Sequence, residues 1–113
     1  MTFEEFDKFQ DDLIKECVKM KDTKGKEYGN SADRFGNFRR LSKSLSIPDY
    51  QIGYIYLAKH LDSIASYIKT GKEFSNESFR SRIIDSIVYL TLIAGMVEEL
   101  NKYKDVQNGK TTV

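Results

Sequence analysis

Apolar residues recur at three- and four-residue steps in four separate stretches of the chain, and no stretch alternates in the two-residue rhythm of a strand. Phe3, Phe6, Phe9 or Gln10, Leu13, Ile14, Cys17 and Met20 mark a first amphipathic helix, running from about residue 3 into the low twenties or on to Tyr28. Thr2 with Glu5 forms a capping-box pattern at its start. Gly29-Asn30-Ser31 reads as a break followed by an N-cap, so Phe35, Phe38, Leu41 and Leu45 place a short second helix at about 31–45, ended by Ile47-Pro48. The third helix starts at Asp49, carries Ile52, Ile55, Tyr56, Ile64 and Ile68, and closes at Thr70-Gly71. Ser75 is the expected cap of a fourth helix at about 76–103.

The fourth helix is apolar nearly all round. Its segment IIDSIVYLTLIAGMV holds one charged residue, Asp85, and in so small a domain only three other helices cannot easily surround it. The expectation is an all-α four-helix bundle that is homo-oligomeric through helix four. Its 113 residues suit one domain with a single core and a tail that frays from about residue 105.

Charge adds a polarity that the net value of +1 conceals. Glu4 to Glu16 carries six acids against two bases, while Lys19 to Lys43 carries eight bases against three acids. A duplex nucleic-acid binder has a domain-wide basic excess, which this chain lacks, so a small polyanion at one basic patch fits better. The acidic N-terminus is unlike a signal peptide and no uncharged run is long enough to span a membrane, so a soluble protein in a reducing cytosol is expected. The single cysteine, Cys17, lies on the apolar face of helix one, and core is its reading.

Candidate chemistry gathers in KGKEYGNSADRFGNFRR, residues 24–40. It contains neither a dinucleotide fingerprint nor a Walker loop, because Gly25-Lys26 is followed by Glu27. What remains is the end of one helix and the start of another, where free N–H groups favour an anion. Lys24, Lys26, Arg34 and Arg39 are the candidate phosphate ligands, Tyr28 or Phe38 the candidate base-stacking rings, and Asn37 a reader of base edges. The competing reading makes Phe35 and Phe38 core and the cations a solvated face. In LAKHLDSI, Lys59 and His60 extend the site, although a lone histidine is often satisfied by a neighbour. Asp85 needs a partner, for which Arg82, Lys59 or Arg34 are available, and it would orient one of the cations. With one histidine, no metal site and no cofactor are expected, and no nucleophile triad can be assembled.

The series K-G-K-E-Y-G, D-R-F-G-N-F, K-H-L-D-S-I and R-I-I-D-S-I-V-Y-L resembles small all-helical phage proteins of the MazG-like or nucleotide-modification-associated type, over roughly residues 13–100. That resemblance implies a helical oligomer with a nucleotide-related ligand in the host cytoplasm. Related phage proteins include sponges that sequester the cyclic nucleotide signals of bacterial anti-phage defence such as CBASS, without turnover. MazG-like pyrophosphatases instead hold magnesium with E-x-x-E and E-x-x-D pairs. Here Asp62 and Asp85 are each followed by serine and have no acidic partner three or four positions away, and Glu98-Glu99 lies beyond the core motifs. The resemblance therefore favours a sponge for a cyclic di- or oligonucleotide over an enzyme. A metal-dependent pyrophosphatase built from Asp33, Asp62 and Asp85 is the alternative, and an interaction protein meeting an acidic host partner is a third reading.

Overall fold

The computed structural model describes the backbone of residues 1–28, 33–73 and 76–109, and the side chains of 1–21, 33–73 and 76–109. Four helices account for the chain's regular structure there: α1 (Phe3–Tyr28), α2 (Gly36–Leu45), α3 (Asp49–Thr70) and α4 (Phe79–Gln107). The all-α expectation is met.

The helix ends follow local chemistry. Thr2 and Glu5 form the reciprocal cap of α1: the Thr2 N–H donates to Glu5 Oε1 at 3.3 Å and the Glu5 N–H donates to Thr2 Oγ1 at 3.1 Å. Helix α2 starts at Gly36, later than the pattern predicts, and Ser31 lies outside the described residues. Asp33 organises this start, because its Oδ1 accepts from the Phe35 N–H at 3.0 Å and its carbonyl from the Gly36 N–H at 3.2 Å. Gly71 closes α3 in the left-handed region (φ +70°), donating its N–H to the Tyr67 carbonyl. Helix α4 begins three residues beyond its predicted start. Its cap is Ser78, whose Oγ accepts from the Ser81 N–H at 3.1 Å, while Ser75 lies outside the described residues.

Packing is organised around α4. Helix α3 runs antiparallel to it, with Tyr67 stacked on Phe79 at one end, His60 beside Asp85 in the middle and Gly53 against Ile93 and Met96 at the other. A Cβ on Gly53 would sit 2.9 Å from Ile93 Cγ1, so glycine sets how closely the two helices approach. Helix α1 runs parallel to α4, fastened by Arg80, which donates to Glu16 at 3.1 Å and lies over the Phe9 ring at 5.3 Å. Helix α2 lies by the C-terminal half of α4, where the Phe35 ring meets Gly95 and Arg39 meets Glu99. Between these helices Cys17, Phe38, Ile52, Leu57, Ile84, Val88, Tyr89, Leu92 and Met96 form the core.

Two apolar surfaces stay open. The first ten residues of α1 are exposed throughout, with Phe3 at 92%. On α3, Tyr54, Leu61 and Ile68 repeat at heptad spacing and remain 60%, 42% and 72% exposed. On α4 Leu90 is 52% exposed in the middle of the helix, and Tyr103 and Val106 are open near its end.

Phe38 is 1% exposed and meets Tyr56 edge-on at 6.1 Å. Phe38→Ala is expected to cost about 3–5 kcal/mol, the usual range for emptying a buried aromatic site. Urea unfolding followed by circular dichroism would measure it, and a loss below about 1 kcal/mol would contradict the core assignment.

Candidate functional site

The side chains of Lys24, Lys26 and Tyr28 lie outside the described residues. The other predicted site residues fall into two groups. Arg34, Asn37, Phe38 and Arg39 lie where α2 meets the Gly95–Glu99 region of α4, whereas Lys59, His60 and Asp85 lie near the middle of α3 and α4. Ten helical residues separate Asp85 from Gly95, about 15 Å along the axis. One small ligand reaching both groups would have to span that length.

At the α2 end the residues divide by environment. Arg34 is exposed, and its Nη1 donates to the Lys21 carbonyl at 3.3 Å. Arg39 is held in an ion-pair network: Nη1 to Asp33 Oδ2 at 2.8 Å, Nη2 to Glu99 at 2.6 Å, and Nε 3.9 Å from Asp49 Oδ2. Its guanidinium also lies 5.6 Å from the Phe35 ring centre. A guanidinium met by three carboxylates has little left to offer a phosphate. Asp33 likewise places a carboxylate at the helix start where an anion was expected. Phe38 is enclosed by the core, where its ring meets Tyr56 edge-on and is not open to an external base. Asn37 is half-buried and has partners of its own.

The middle of the bundle holds the more unusual chemistry. His60 is 9% and Asp85 6% exposed. Arg82 Nη1 lies 3.1 Å from His60 Nδ1 and 3.2 Å from Glu77 Oε2. A guanidinium can only donate, so Nδ1 must accept, which puts the imidazole proton on Nε2 and keeps the ring neutral. Burial lowers the His60 pKa from its ordinary value. The nearby charges oppose one another, Asp85 and Glu77 raising it and Arg82 and Lys59 lowering it. The imidazole also stacks on Tyr89 at 5.3 Å, and Tyr89 on Tyr56 at 6.0 Å, so an aromatic ladder runs Phe38–Tyr56–Tyr89–His60.

Asp85 is the exception in this network. Its ion-pair contact is His60 Nδ1, 3.9 Å from Oδ2, beyond hydrogen-bonding range and already committed to Arg82. Among the described residues no donor reaches its carboxylate, although its side chain is only 7% exposed. Arg82, an expected partner for Asp85, is drawn instead to His60 and Glu77. With His60 neutral, Arg82, Glu77 and Asp85 leave the cluster one net negative charge. Glu77 was not legible as a site residue: it reaches the cluster from the segment before α4, and no helical spacing announces that.

Beside the cluster is a cavity of about 130 Å³ lined by Ser63, Ser66, Tyr67, Lys72, Glu73, Glu77 and Arg82. Lys59 is exposed. Of the acids in the alternative reading, Asp33 pairs with Arg39, Asp62 is exposed and Asp85 sits beside His60, so the three do not converge within one chain. Cys17 is buried at 6%, and burial followed by the nearby Glu16 raises its thiol pKa while Arg80 lowers it, as suits an inert core residue.

Compared with protein-family models, curated proteins and solved structures, the chain matches none.

The His60 environment sets a pH dependence. A histidine with a lowered folded-state pKa binds fewer protons folded than unfolded, so stability rises with pH across the window between the two values. The contribution is complete above about pH 6.5 and is lost as pH falls toward the lowered folded value. Thermal melts from pH 7.5 to 5 should therefore decline more steeply for the wild-type chain than for His60→Asn, which keeps an acceptor facing Arg82 but does not titrate. Parallel declines would remove His60 as the titrating group.

Proposed function

We propose that this chain is a nucleotide-binding protein that captures a cyclic di- or oligonucleotide without turning it over, in the manner of the phage sponges its motifs resemble. The observation that carries this reading is the dispersal of Asp33, Asp62 and Asp85 to three different environments. Magnesium-assisted attack on a triphosphate needs such acids to meet around the ion. Capture needs less: exposed cations and accessible rings. Arg34, Arg40 and Lys59 supply exposed cations, and Tyr56, 36% exposed, presents part of the aromatic ladder to solvent one turn before Lys59.

In this reading Arg34 holds phosphate together with Lys24 and Lys26, and Tyr28 stacks a base. Arg39 and Asp85 act by fixing their neighbours, and Phe38 by supporting Tyr56. Oligomerisation through helix four, starting from its exposed Leu90, would bring equivalent patches together around a symmetric ligand. No helix among the described residues is long and apolar enough to cross a membrane, which accords with a ligand met in the host cytoplasm.

The pyrophosphatase reading draws on a separate observation: His60, Glu77 and Asp85 offer ligand atoms within 4.8 Å of one another. Incubating the purified chain with a nucleotide panel, with and without magnesium, followed by heat release and chromatography, separates the two. Intact recovery supports capture, pyrophosphate with a monophosphate supports hydrolysis, and retention of no nucleotide overturns both. Under capture, Arg34→Ala is expected to weaken binding more than tenfold, in line with a charge-assisted contact of roughly 1.5–3 kcal/mol, with little change in Tm. Unchanged affinity would remove Arg34 from the site.

A further inference from the structure

We propose that His60, Glu77 and Asp85 form a binding site for a single divalent transition-metal ion, for which the Arg82 guanidinium is the resident internal substitute. This is independent of the capture reading, uses the residues on which the pyrophosphatase alternative draws, and would hold for a chain that binds no nucleotide.

Three observations converge. The ligating atoms of His60, Glu77 and Asp85 all lie within 4.8 Å of one another. Around a tetrahedral ion with bonds of about 2.0–2.2 Å, ligand atoms stand about 3.3–3.6 Å apart, so side-chain rotations that bring the three together by about 1 Å close the site. The imidazole nitrogen facing the cluster is already deprotonated, since Nδ1 accepts from Arg82. It is thus in the form that binds a metal. Asp85, finally, is a carboxylate nine-tenths buried and aimed at that same nitrogen, with no donor among the described residues. No side-chain oxygen among the described residues is both sealed from solvent and unbonded, so the Asp85 carboxylate keeps a little solvent contact, which a cation between Oδ2 and Nδ1 would replace with a direct charge partner.

Arg82 reaches two of the three ligands, so its positive charge meets part of the demand but leaves Asp85 out. Binding an ion moves the guanidinium aside. The adjoining cavity gives it a place to go, lined by the acceptors Ser63, Ser66 and Glu73, against which Lys72 is the one opposing charge. One imidazole with two carboxylates is a mixed nitrogen and oxygen set, which suits zinc, manganese or cobalt better than magnesium or calcium. Any imidazole ligation is assigned to His60, because the chain contains one histidine, and its one cysteine is buried.

The test uses the untagged full chain, stripped with EDTA and desalted, titrated with zinc chloride by calorimetry and with cobalt chloride by visible absorption, without nucleotide. One ion per chain is expected, with a cobalt spectrum of nitrogen and oxygen ligation. Asp85→Asn and His60→Asn should each weaken binding at least tenfold, and Arg82→Gln should tighten it at least tenfold by removing the competitor. Circular dichroism on each variant checks that the helices persist, and the gain expected for Arg82→Gln cannot arise from misfolding. No uptake by the wild-type chain, uptake unchanged by Asp85→Asn, or no tightening in Arg82→Gln overturns the proposal. Retention of nucleotide by a chain that takes up no zinc would sink this site alone and leave the capture reading standing.

Discussion

The fifteen residues from Ile83 to Val97 carry one charged side chain, and covering that segment is the constraint from which the rest of the fold follows. Each buried Ile, Val, Leu or Met is worth about 1.5–3 kcal/mol relative to exposure. Ile84, Val88, Leu92 and Met96 are all buried, so α4 cannot remain an outer helix. Helix α3 takes the closest position because Gly53 permits it, α1 covers a second side through Cys17, and α2 brings Phe38 and Phe35 to the C-terminal half. Placing a carboxylate within such a segment carries a consequence. Asp85 is carried into the interior by its neighbours' burial, and the cluster of His60, Arg82 and Glu77 forms around the place it is forced to occupy.

What the sequence made legible was the part controlled by short-range periodicity and by end chemistry. The Thr2–Glu5 box, the Gly71 stop and the core role of Cys17 all depend on residues a few positions apart or on one helical face, and they are found in the structure. The start of α4 was misplaced because Ser75 and Ser78 are both competent caps, and nothing local distinguishes them until Ser78 engages the Ser81 N–H. The candidate site was legible only in fragments. His60 and Asp85 were singled out for their chemistry, yet Glu77 depends on how the chain returns from α3 to α4. Arg39 looked available because its three carboxylate neighbours, Asp33, Asp49 and Glu99, come from up to sixty positions away.

The fate of Arg39 and Arg82 shows why counting cations along a sequence overstates a phosphate site. Both are arginines in basic or neutral surroundings by sequence, and both are taken by acids that the fold delivers. Arg34 differs because the contact it makes among the described residues is to a backbone carbonyl. A carbonyl leaves the guanidinium charge uncompensated, whereas a carboxylate cancels it. What an arginine can still offer an anion thus depends on the charge of the partner it already has, more than on exposure alone.

The two groups of site residues are separated along α4, but the ladder Phe38–Tyr56–Tyr89–His60 crosses between them. One contact is edge-on and two are stacked, and close packing leaves each ring little room to move without meeting the next. Tyr56 is the rung that reaches solvent, with Phe38 on its inner edge and Tyr89 against its face. Any partner that stacked on Tyr56 would press through Tyr89 on the imidazole that Arg82 holds at 3.1 Å. Because that hydrogen bond is directional and its acceptor is a single ring nitrogen, a small tilt of His60 weakens it steeply. The polar cluster and the partly exposed ring are therefore joined by a continuous series of ring contacts that ends at the neutral imidazole.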